Sequence, residues 1–137
     1  MHRLLLISFV LPILVSCGHR KVVMYPAKVG TKTELFEVVS SKQVTLAPGV
    51  KSQIVGGPCG PQSGIVYQRP EGGPGGYMAC GCTGAQTSTC TAENDNPLHP
   101  SCSGGCTDSE GNQHGCELYG PLPGPPKDPA AIELRAP

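Results

Sequence analysis

The 137-residue chain has no tryptophan, and its aromatic side chains number two phenylalanines and four tyrosines. A core must therefore be assembled from small aliphatic groups, and a domain this thin in apolar bulk ordinarily relies on covalent or metal staples. Charge is scarce too: 15% of residues are charged, with Lys+Arg and Asp+Glu balanced at 10 each. No basic cluster with interleaved aromatics occurs, so nothing supports nucleic acid as a partner. Ser103-Gly104-Gly105 lacks the His–Asp logic of a hydrolase triad, and no catalytic constellation is evident. Glu93–Asn96 and the Asp108–Asn112 stretch offer oxygen atoms but not the twelve-residue calcium-loop pattern, so they read as turns. What the chain has in quantity is glycine (19), proline (15) and cysteine (8).

Helical periodicity is absent over any useful length, and the local signals are those of strands and turns. Lys21–Tyr25 is β-prone and Pro26 stops a helix there; Glu34–Val39 is a second strand candidate. Val44-Thr45-Leu46 and Val50–Val55 alternate on either side of Pro48-Gly49, which predicts a type II turn and a hairpin over 43–55. Gly64–Gln68 reads as another short strand, and Glu71–Gly76 as a glycine loop. From Tyr77 to Tyr119 the chain is small, polar and cysteine-rich, and reads as irregular. The tail from Gly120 to Pro137 is proline-rich; it is expected to be extended and disordered, with at most one helical turn near Ala130–Arg135. The expected fold class is small, mixed β/irregular and disulfide-rich.

The one long apolar run, Leu4 to Val15, follows Met1-His2-Arg3 and leads into Leu14-Val15-Ser16-Cys17-Gly18. A bilayer-spanning helix needs about 20 apolar residues, and this run is shorter and broken by Pro12. An ordinary cleaved signal ends in small residues at −3 and −1, whereas Leu14 occupies −3. The layout resembles a bacterial lipoprotein signal peptide ending in a lipobox. That resemblance implies removal of residues 1–16, a thioether-linked diacylglycerol on Cys17, further acylation (palmitate) at the new N-terminus, and anchoring in the cell envelope. Gly18 after the cysteine favours the outer membrane of a Gram-negative host. The lipid is the only cofactor implied. The remaining chain divides into a lipidated tether (17–32), a short-strand region (33–76), a cysteine-rich module (77–119) and the proline-rich tail (120–137).

With Cys17 assigned to lipid, seven cysteines remain as disulfide candidates: Cys59, Cys80, Cys82, Cys90, Cys102, Cys106 and Cys116. Export to an oxidising compartment makes disulfides the default, and six cysteines allow fifteen pairings that spacing does not choose among. Cys80 and Cys82, with only Gly81 between them, are not expected to pair with each other. An odd number leaves one thiol over, and Cys59, remote from the cluster, is the candidate; a bridge through it would make a covalent dimer or tie the chain to an envelope partner. The rival chemistry is metal or thiol-redox, with His99 close before Cys102 and His114 before Cys116. Cys80, Cys82, His99, Cys102, Cys106 and His114 form that ligand set, although C-x-C and C-x3-C depart from the usual C-x2-C zinc knuckle. The expected role is structural or binding, without catalysis.

Overall fold

A computed structural model describes residues 18–56, 63–84, 87–124 and 130–137. Cys17 and Cys59, on which the lipid and odd-thiol expectations rest, lie outside the described residues, as does the apolar run before Cys17. Among the described residues the secondary structure is entirely β, and no helix is long and apolar enough to cross a membrane. The fold is mostly β and disulfide-rich.

The central layer is a four-stranded antiparallel sheet in the order β12-β6-β5-β4, made of Glu117–Leu122, Pro74–Gly81, Ser63–Gln68 and Lys51–Gly56. On β6, successive side chains go to opposite sides. Met78 and Cys80 enter the larger core with Ile65, Tyr67 and Leu118, while Tyr77 and Ala79 enter a second core with Tyr119. Both faces of the strand are covered, and this accounts for the unbroken buried run in a segment with no polar alternation.

The first face is covered by a sheet in the order β2-β3-β9-β8, comprising Phe36–Ser40, Gln43–Leu46, Ser101–Ser103 and Thr91–Glu93. Its inward residues Phe36, Val38, Val44, Leu46 and Ala92 meet Ile65 and Tyr67, and Phe36 stacks on Tyr67 with ring centroids 5.1 Å apart. Tyr67 is fully buried, and its hydroxyl donates to Met78 Sδ at 3.2 Å. On the second face lie β1 (Gly18–Met24) and β13 (Ala130–Leu134), a parallel pair contributing Met24 and Leu134. A small sheet in the order β11-β10-β7 (Gln113–Gly115, Gly105–Thr107, Thr87–Ser88) completes the cysteine module.

Three expectations are corrected. The turn at Pro48-Gly49 forms, with Gly49 at φ 82° and the Val50 N–H donating to Ala47 O at 3.2 Å. The strands it joins do not pair: β3 belongs to the covering sheet and β4 to the central one. The segment 43–55 is thus a corner between layers, because Val44 and Leu46 are needed opposite Ile65 rather than beside it. The hairpin lies one strand earlier, between β2 and β3, with Val38 opposite Val44. The tail is the second correction. Pro121 sits in β12 where the register shifts between Tyr119 and Leu122, a proline having no N–H for the ladder. Ala130–Leu134 is neither disordered nor helical but pairs with β1, Val22 opposite Ile132 and Met24 opposite Leu134. Third, the described part of the stretch from Tyr77 to Tyr119, read as irregular, is only about half irregular, the other half being short strands.

Glycine is required where strands approach closely. A Cβ on Gly64 would run into the Tyr77 ring, and one on Gly104, held at φ 101° between β9 and β10, would strike the Thr89 carbonyl. Gly104 turns the chain so that Cys102 and Cys106, four residues apart, reach different partners.

Candidate functional site

The chemistry-bearing groups gather where the ends of β6, β10 and β12 converge. Cys80 and Cys82 point the same way, two residues apart at the end of β6. Cys80 is bonded to Cys102 of β9 and Cys82 to Cys106 of β10, with Cα atoms 5.5 and 6.5 Å apart. Cys90, just before β8, is bonded to Cys116, just before β12, with Cα atoms 5.6 Å apart. The first bond ties the central sheet to the covering sheet. All its atoms are inside, with Cys80 at 0% and Cys102 at 2% exposure.

The second and third bonds pack against each other. Cys82 Sγ lies 3.8 Å from Cys90 Sγ, close to van der Waals contact, and the sulfurs of Cys82, Cys90 and Cys116 all fall within 4.8 Å of one another. Such a triangle has the spacing of a metal site, but each of these sulfurs is already in an S–S bond and offers no thiolate. Cys82 Sγ also touches the Gly115 carbonyl oxygen at 3.6 Å, and Cys106 Sγ touches that of His114 at 3.6 Å. Lys42 reaches the same place from the β2–β3 loop: a Cβ on Gly115 would lie 2.8 Å from its Nζ.

The proposed six-residue metal set is not brought together as ligands. Cys80, Cys82, Cys102 and Cys106 are consumed in two bonds that pair each C-x-C cysteine with one of the C-x3-C cysteines. His99 faces the covering sheet, its Nδ1 3.1 Å from Thr45 Oγ1. His114 sits on β11 with Nε2 2.7 Å from Asp108 Oδ2. Asp108 Oδ1 accepts the N–H groups of Glu110 and Asn112, each at 2.9 Å, so the carboxylate closes the β10–β11 loop. The His114 contact, then the Asn112 N–H, hold the Asp108 carboxyl below its usual range. Asp108 is a turn-forming aspartate that also pins a histidine, and Asn96 forms a comparable turn by accepting the Leu98 N–H. Ser103 Oγ donates to Glu93 Oε1 at 3.0 Å.

Two clefts of about 270 Å³ flank this region. Ser88, Thr89, Cys106, Gln113 and His114 line one; Cys82, Thr83, Gly115, Glu117 and Tyr119 line part of the other. Thr83 Oγ1 and Tyr119 Oη are hydrogen-bonded at 2.7 Å in the second. A third cleft of about 300 Å³, across the molecule, runs beside Phe36 and Leu122 and carries the exposed Arg69–Glu34 ion pair at 2.7 Å. The sequence marked Cys82 and Cys106 as chemically important but not their closeness to Cys90 and Cys116, which depends on two loops folding back to one sheet end.

No protein-family model, curated protein or solved structure matches this chain.

Proposed function

We propose that the chain is an exported protein of the bacterial envelope, anchored by lipid on Cys17, whose disulfide-stapled β module has a structural or binding role without catalysis. The observation that carries the reading is the pairing of all six cysteines between 80 and 116 within the chain, as suits an oxidising compartment. The lipobox-like stretch ending at Cys17 supplies the route there and the anchor, and Gly18 favours the outer membrane. Several buried acyl chains, each methylene contributing about 0.8 kcal/mol, hold such a protein durably at a bilayer. Cys17 is followed directly by β1 (Gly18–Met24), so the stapled layers would stand close to the membrane.

Metabolic labelling with palmitate in a Gram-negative host, followed by fractionation, tests the proposal. The wild-type chain should carry label and sediment with outer membranes, and Cys17→Ser should lose both label and membrane retention. Label surviving in Cys17→Ser, or Cys17 recovered from the wild type in a disulfide-linked peptide, overturns it.

A further inference from the structure

The three disulfides differ in what surrounds them. Cys80–Cys102 is sealed between two sheets. Cys90 and Cys116 are 6% and 0% exposed, and neither lines the clefts described above. Cys82–Cys106 is different: Cys106 is as buried as Cys90, at 5% exposure, but Cys82 is only half-buried, and each end of the bond borders its own cleft, Cys106 the first and Cys82 the second. A small thiol can therefore approach this bond from solvent. Behind it, Cys90 Sγ lies 3.8 Å from Cys82 Sγ.

We propose that Cys82–Cys106 is a thiol–disulfide exchange site for dithiol reductants, and that Cys82 passes the exchange on to Cys90–Cys116. A thiolate of the dithiol attacks one sulfur of the open bond, the S–S bond breaks, and the other sulfur leaves as a thiolate that takes a proton. The second thiol of the reductant resolves the mixed disulfide. The reductant departs as its own disulfide, two electrons have passed to the chain, and Cys82 and Cys106 stand as thiols. Cys82 then gives its proton to water, and its thiolate attacks Cys90 Sγ. The Cys82–Cys90 bond forms, the Cys90–Cys116 bond breaks, and Cys116 leaves as a thiolate and is protonated. This second step is neutral in electrons and needs no further reductant.

The neighbourhood suits it. The Lys42 ammonium lies over Gly115, whose carbonyl Cys82 Sγ touches, and a nearby cation favours the thiolate over the thiol. Cys80–Cys102 stays closed throughout, so the central sheet remains stapled to the β2-β3-β9-β8 sheet while the small β11-β10-β7 sheet is released from β6. The exchange does not depend on the lipid at Cys17.

The test is a titration of the oxidised full chain with dithiothreitol near pH 8, from below one equivalent to excess. Samples are quenched in acid, alkylated and mapped as linked peptides. Cys82 and Cys106 should be the first to become alkylatable. At about one equivalent a Cys82–Cys90 linked species should accumulate with Cys106 and Cys116 alkylated and Cys80–Cys102 intact. In Cys82→Ala/Cys106→Ala, opening of Cys90–Cys116 at the same reductant concentration should slow tenfold or more. The proposal is overturned if Cys80–Cys102 or Cys90–Cys116 opens first, if all three open together, if no Cys82–Cys90 peptide forms, or if the double variant leaves Cys90–Cys116 opening unchanged. The wild-type map decides the matter by itself where the variant does not fold.

Discussion

Removing one disulfide at a time tests whether the three bonds act as an interlocked set. Taken alone, Cys80–Cys102 and Cys90–Cys116 close loops with sequence separations of 22 and 26, and chain entropy then distinguishes them by only about 0.15 kcal/mol. The structure interlaces them, and Cys82–Cys106 shortens both paths. From Cys80 the shortest covalent route to Cys102 runs through Cys82, across the bond and back from Cys106, a loop of about seven residues worth about 2.4 kcal/mol. From Cys90 to Cys116 the same shortcut leaves about nineteen residues, worth about 3.2 kcal/mol. All four sulfurs are buried, so the packing lost on replacement by alanine is similar in the two cases. Cys90→Ala/Cys116→Ala should therefore be less stable than Cys80→Ala/Cys102→Ala by about 0.9 kcal/mol. Guanidinium unfolding followed by far-ultraviolet circular dichroism reads this directly, once alkylation has verified the two remaining bonds in each variant. Equal stabilities, or a less stable Cys80/Cys102 variant, would refute the interlaced pairing.

Two further outcomes follow from burial. Desolvation raises the Tyr67 phenol above its ordinary value of 10.0. The folded chain then keeps a proton that the unfolded chain loses, and Tyr67's contribution is whole below about pH 10 and declines as pH rises past it. Tyr67→Phe should flatten the fall in urea midpoint between pH 9 and 11, at a cost of about 1 kcal/mol at neutral pH for the hydrogen bond to Met78; an unchanged alkaline slope would count against the buried phenol. Leu134, 7% exposed under the central sheet, should cost about 2–3 kcal/mol as Leu134→Ala in thermal unfolding. An unpacked tail would show no change.

Much of the architecture was legible in particular residues. Val22–Met24 is a strand, the stretch around Phe36–Val39 is a strand, and Gly49 takes the positive φ that Pro48-Gly49 announces. Each depends on local sterics and on a few neighbouring side chains, which a sequence displays in full. The strand β6 was missed because both its faces are covered, which erases the alternation that marks a half-exposed strand. β13 was missed because proline content says what a segment cannot do, and nothing about a partner strand more than a hundred residues away.

The amino-acid sequence by itself determined the strand-and-turn character of the chain, its need for staples, and the refusal of Cys80 and Cys82 to pair with each other. Only the tertiary structure decided which strands lie together and which sulfurs meet. β3 and β4 share a turn yet join different sheets, because burying Val44 and Leu46 against Ile65 and Tyr67 outweighs the ladder a hairpin would have made. Six cysteines admit fifteen pairings, and the choice among them follows from which strand ends the two cores bring within bonding reach. These are long-range consequences of packing that no short window of residues contains.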